Sequence, residues 1–151
     1  MGEMDDLVRK ANEAKAQAAQ AQENSTKRRA EYVDALNTLF KDIAYWMQGL
    51  IQAGMAKTSL GTVMAADWFG EFSAPEMQLT INNHHVRLVP ISWQIIGWRG
   101  GSLVLHIDPN IEKAVAQKEG GWVIFDNNNL QGTPEPLNRD SFAKAIKFLF
   151  P

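Results

Sequence analysis

The sequence predicts an α+β fold: a long N-terminal helix, partly coiled-coil-like, then a mostly antiparallel β-sheet of about five strands, with a short helix insertion and a C-terminal helix packed on one face. Three observations carry this. From Glu3 to about Ala56 there is no proline, and glycine occurs only at Gly49 and Gly54. Met77, Leu79 and Ile81 alternate with Gln78, Thr80 and Asn82, the period of a half-buried strand. Near the end, Phe142, Ala145, Ile146 and Leu149 recur at the i, i+3, i+4, i+7 spacing of a helix that buries one stripe.

The N-terminal run has two halves. The first is rich in Ala, Gln, Glu and Lys, residues that lose little on entering a helix. Its apolar positions Met4, Leu7, Ala11, Ala14, Ala18 and Ala21 step by three and four, a heptad seam whose knobs are mostly methyl groups. Asp5 and Arg9, Asp6 and Lys10, and Glu23 and Lys27 are acid-before-base pairs at i,i+4. In the second half Val33, Leu36, Phe40, Ile43, Met47 and Leu50 keep the same stepping with large side chains. Tyr32, Leu39, Trp46 and Ile51 widen that stripe to the breadth of a helix laid on a core. The seam slips phase near Asn24-Ser25-Thr26, three poor helix formers in a row.

As one rod the run would reach roughly 80 Å at 1.5 Å per residue, against a radius of gyration of roughly 15 Å for a compact domain of this length. Residues 1–30 therefore protrude, fold back at Asn24–Thr26, or lie on another chain. The expectation is a protruding arm that self-associates, followed by a single α+β domain over 31–151.

Past the helix, a short strand is expected near Thr62–Ala65, and Trp68, Phe69 and Phe72 form an aromatic cluster before Pro75. A two-residue turn at Asn82-Asn83 sets Leu79 against Val86, Met77 against Leu88, Thr80 against His85 and Gln78 against Arg87. Apolar then meets apolar and polar meets polar, an agreement that a one-residue slip would destroy. A second hairpin is expected to turn at Gly100-Gly101, pairing Trp98 with Leu103 and Ile96 with Leu105. Pro90 would lie at a bend or an edge. Asp108-Pro109 reads as cap and first residue of a short helix ended by Gly120-Gly121. Trp122–Phe125 reads as a buried strand, Asn127–Pro136 as a loop, and Asn138 or Asp140 as the cap of the last helix.

At 151 residues the chain is long enough to bury a core, and its 45% hydrophobic and 21% charged content is that of a globular protein. A formal charge of −2 argues against a nucleic-acid role, and the basic run Lys27-Arg28-Arg29 reads as a solvated face. The absence of cysteine excludes disulfides, thiolate zinc sites and a cysteine nucleophile. The N-terminus is acidic and lacks the apolar core of a signal peptide. The most apolar stretch, Leu39–Ala56, holds Lys41, Asp42 and Gln48, so no membrane span is expected. The expected setting is cytoplasmic.

Little in the sequence points to catalysis. No G-x-S-x-G, Walker or dinucleotide motif occurs, and no catalytic residue, metal or cofactor is assigned. His84 and His85 are strand neighbours that point to opposite faces. His106 and Asp108, at i and i+2, could join Asp126 and the aromatics Trp68, Phe69 and Phe72 around a pocket. Trp93 and Arg99 could mark a recognition surface, since both residue types are enriched at binding hot spots. The leading expectation is a non-enzymatic interaction module, with the arm binding its own kind or another protein and the sheet offering a second surface. A small-molecule-binding or hydrolytic domain built on that pocket is the alternative, and an inhibitor of a partner enzyme is a third reading.

Overall fold

The computed structural model describes residues 2–67, 70–95, 98–107, 110–118, 121–126 and 134–151, with backbone alone at 92–95 and 98–100. Helix α1 (Glu3–Trp46) is 44 residues long, and a short α2 (Gln48–Gln52) follows. Seven strands come next: β1 (Ala56–Asp67), β2 (Gly70–Ile81), β3 (His84–Ile95), β4 (Trp98–Ile107), β5 (Ile111–Lys118), β6 (Gly121–Phe125) and β7 (Pro134–Pro136). They form one sheet in sequence order, each antiparallel to the next. Helix α3 (Arg139–Ile146) and a single 3-10 turn, Lys147–Leu149, close the chain.

The broad stripe of α1 packs as expected. Tyr32, Leu36, Leu39, Phe40, Ile43 and Met47 are buried against Met77, Leu79, Ile81, Val86, Leu88, Leu103 and Leu105 of the sheet. Helix α3 packs into the same cluster through Phe142, Ala145 and Ile146, and Trp46 meets Phe142 with ring centroids 6.1 Å apart. Asn138 caps α3: its Oδ1 accepts from Ser141 N at 2.9 Å.

The β2–β3 hairpin has the expected register, from Met77↔Leu88 to Ile81↔His84. Both turn residues take positive φ, 47° at Asn82 and 65° at Asn83, the geometry that matches a two-residue turn to the strands' own twist. Asn82 does more, since its Nδ2 donates to Leu149 O at 2.6 Å and ties the turn to the C-terminus.

A proline pair ends this ladder. The pair that closes a two-residue hairpin is hydrogen-bonded, so Ile81, Leu79 and Met77 aim their N–H at β3, and residue 75 would be next. Continuing the register beyond Met77↔Leu88 would set Pro75 opposite Pro90. Neither has an N–H to give, and the pairing stops. Beyond that point β1 and β2 continue as a two-stranded ribbon, which twists more than a full sheet. The outer edge of β1 swings round until Ala66 pairs in parallel with Ser92. The ribbon also changes face. Near the turn Met77, Leu79 and Ile81 enter the core, whereas at the ribbon's far end Ala65, Phe72 and Ala74 do.

Five expectations need correction. Among the described residues the sheet has seven strands, not about five. The region around Thr62–Ala65 is a twelve-residue strand, not a short one. The second hairpin does not turn at Gly100-Gly101: both glycines lie inside β4, Ile95 pairs with Trp98, and Leu103 and Leu105 face Pro90 and Leu88. Gly101 is small because Tyr32 lies on it, and a Cβ there would overlap the Tyr32 ring carbons Cδ1 and Cε1. The inserted helix is instead β5, hydrogen-bonded to β4 and β6 on its two sides. A two-turn helix is marginal alone, while the strand buries Ala114, Val115 and Ala116. The expected loop 127–136 also ends in a strand, since Pro134–Pro136 pairs with Phe125–Val123 as β7. Asp108-Pro109 and Gly120, with which the helix reading began and ended, lie outside the described residues.

Candidate functional site

Helix α1 does not stop where the body stops. Every residue from Gly2 to Asn24 is exposed, including Met4 (69%), Leu7 (58%) and Val8 (54%). Those 22 helical residues from Glu3 onward extend about 33 Å at the rise of an α-helix. Asn24-Ser25-Thr26 does not break the rod. Thr26 Oγ1 donates to Gln22 O at 3.1 Å, Gln20 Nε2 donates to Asn24 Oδ1 at 3.2 Å, and Ser25 Oγ donates to Asp67 Oδ2 at 3.2 Å. The polar side chains of this segment are satisfied without leaving the helix. Arg9 bridges Asp6 at 3.6 Å, an i,i+3 pair in place of the i,i+4 pairing expected with Asp5.

Ser25 is the first buried residue of the helix, and it follows Ala21 by four. The stripe that meets the body is therefore the prolongation of the seam Met4, Leu7, Ala11, Ala14, Ala18 and Ala21, and that seam faces the side on which the sheet lies. The expected slip of phase falls here, as two successive steps of four from Ala21 to Ser25 and Ser25 to Arg29, after which Tyr32 and Leu36 lead into the core.

A clasp holds the root of this arm. Arg29 grips Asp67 at the end of the ribbon with two bonds, Nε to Oδ2 and Nη2 to Oδ1, both 2.6 Å. Nη2 also lies 3.4 Å from Gly70 O. The guanidinium stands over the Phe72 ring at 4.9 Å, and Phe72 meets Tyr32 edge-on at 6.2 Å. Tyr32 is wholly buried, and its hydroxyl donates to Ser102 O on β4; burial pushes its phenol pKa up. The hydrogen bond to Asp67 raises the Arg29 pKa, burial pulls it down and the Asp67 charge adds to the rise, so the pair stays ionised. Such two-pronged pairing fixes direction as well as position. Arg29 is thus no part of a solvated basic face, although Lys27 and Arg28 are exposed.

The face of the sheet turned away from the helices is polar along β1–β3. Lys57, Ser59, Gln78, Thr80, His85 and Arg87 line an open groove of about 590 Å³. At its upper end Glu76 is almost fully buried, accepting from Arg87 Nη2 at 2.7 Å and Gln78 Nε2 at 2.8 Å. Burial pushes its carboxyl up, but the two hydrogen bonds and the Arg87 charge outweigh that and hold it below the usual carboxylate range. Gly61 makes the room, since a Cβ there would stand 3.2 Å from Glu76 Oε1.

The expected pocket residues are dispersed. Phe72 lies on the helix side, against Tyr32 and Arg29. His106 lies on the opposite face, its Nδ1 3.1 Å from Glu112 Oε1 across the β4–β5 pair. Asp126 follows β6 and offers its backbone carbonyl to Lys113 Nζ at 3.1 Å. Trp68, Phe69 and Asp108 lie outside the described residues, as do the side chains of Trp93 and Arg99. Among the described residues no three His, Cys, Asp or Glu side chains form a metal-holding group, and no described helix is long and apolar enough to cross a membrane.

Sequence reasoning missed the clasp, which joins residues 38 apart. An arginine at the foot of an apolar stripe was its one local signal. No known protein family model, curated protein or solved structure matches the chain.

Proposed function

We propose that this protein is a non-enzymatic association module whose exposed N-terminal helix pairs with the same helix of a second copy. The observation behind the reading is the run of 22 exposed helical residues that precedes Ser25, with a seam of small apolar side chains along one side. Small knobs let two helices approach closely but bury little area, so the association is weak and concentration-dependent. The clasp serves it by setting the direction in which the arm leaves the body. A helix laid on the seam lies on the same side of α1 as the sheet.

Sedimentation of the full chain tests this. Mass should rise with concentration through the micromolar range, and Ala11→Glu with Ala18→Glu should weaken that association by about tenfold or more, or about 1.4 kcal/mol. Deleting residues 1–24 should weaken it at least as much, while far-ultraviolet dichroism still reports the folded body. A chain that stays monomeric at high micromolar concentration refutes the reading.

A further inference from the structure

The two edges of the sheet are built differently. The β7 edge is Pro134-Glu135-Pro136, two residues without an N–H around a charge, a common guard against strand addition. On the other side β1 is twelve residues long, meets β3 with its outer edge at Ala66, contains no proline, and carries Lys57 as its only charge before Asp67. Thr58, Ser59, Leu60 and Thr62 are all exposed there, Leu60 by 63%.

The backbone direction along this edge follows from the hairpin register. The odd residues of β2 bond to β3, so its even residues Thr80, Gln78 and Glu76 bond to their partners Lys57, Ser59 and Gly61 on β1. The residues between, Thr58, Leu60 and Thr62, therefore turn N–H and C=O away from the sheet. Their side chains also read the same in both directions: Thr, Leu, Thr, spaced by Ser59 and Gly61.

We propose that this edge of β1 pairs antiparallel with the same edge of a second copy, with Leu60 on the two-fold axis. In that register Thr58 lies opposite the partner's Thr62, and Leu60 opposite the partner's Leu60. Each such pair exchanges two N–H···O bonds. Matched threonines and matched leucines are favourable cross-strand neighbours. The occupant is a second copy because the edge is its own complement in both hydrogen bonding and side-chain type. A neighbouring register would set Leu60 against threonine. The contact is shorter than the about 800 Å² per partner of a standard interface, so it is weak, and it is separate from the arm.

The chain contains no cysteine, so single introduced thiols report on this contact in the full-length protein. Paired residues of a hydrogen-bonded pair lie about 5.5 Å apart at Cα, within disulfide reach. Under mild oxidation at high micromolar concentration, Leu60→Cys should form a covalent dimer about tenfold faster than Thr58→Cys alone. Thr58→Cys mixed with Thr62→Cys should crosslink as a heterodimer. The amides of Leu60 and Thr62 in the unmodified chain should gain exchange protection as concentration rises. Repeating the Leu60→Cys reaction with Ala11→Glu and Ala18→Glu present separates the two contacts, because the edge crosslink should survive. The proposal is overturned if Leu60→Cys reacts no faster than Thr58→Cys, if the amides exchange independently of concentration, or if the arm substitutions abolish the crosslink.

Discussion

Gly101→Ala should destabilise this protein, although alanine in a strand ordinarily costs less than glycine. Taken alone, the loss of unfolded-state freedom would favour alanine by about 0.4–1 kcal/mol. The structure reverses the sign. The new methyl would overlap Cδ1 and Cε1 of Tyr32 and lie 3.1 Å from Cζ. That ring is wholly buried, held at one end by Ser102 O and on one flank by Phe72, so it cannot swing aside freely. Overpacking of this kind costs about 1–3 kcal/mol. Pulling the Tyr32 hydroxyl off its buried acceptor adds about 1–2 kcal/mol. A net loss of about 3 kcal/mol is expected, a large share of the about 5–15 kcal/mol typical of a domain. Urea unfolding followed by tryptophan fluorescence measures it, and a double-mutant cycle isolates the cause. In a Tyr32→Ala background the methyl enters vacated space, and Gly101→Ala should cost about 0.5 kcal/mol or less. A full-size loss in both backgrounds, or none in the parent chain, refutes the account of this glycine.

Two further outcomes follow from other parts of the fold. The Glu76 carboxyl is held below its ordinary value of 4.5, so its contribution is fully present above that value and is lost as pH falls through the lower, folded-state value. Urea midpoints measured from neutral to acid pH should therefore fall in that window, and Glu76→Gln should flatten that part of the profile. At the β2–β3 turn, Asn83→Gly should be neutral or slightly stabilising, because glycine takes positive φ freely. Asn82→Gly should instead cost about 1 kcal/mol by releasing the bond to Leu149 O; equal effects at the two positions in thermal denaturation would contradict that assignment.

The parts of the fold that could be read from the chain are those where neighbouring residues settle the matter. The Asn82-Asn83 turn, the alternation of Met77, Leu79 and Ile81, and the spacing of Phe142, Ala145 and Ile146 are local and mutually consistent. The stripe from Tyr32 to Met47 was legible for the same reason. What escaped is set by residues far apart. Gly100-Gly101 looks like a turn until Tyr32 is laid across Gly101. Ile111–Lys118 has the composition of a helix and becomes a strand because both its edges are paired. Pro75 and Pro90 each look like a local interruption, and only the register shows that they face one another. Of the candidate site, the helical state of the first residues was readable from their alanine content, whereas the Arg29–Asp67 clasp and the palindromic edge needed the topology.

Past the proline pair, β1 and β2 run on as a ribbon whose Asp67 grips the base of α1 through Arg29. Because α1 is unbroken, a sideways load on its free end acts as a lever whose short side bears on that ribbon. Since Ala65, Phe72 and Ala74 of the ribbon belong to the core, such a load passes into the packing beneath the helix and is not carried by Arg29 and Asp67 alone.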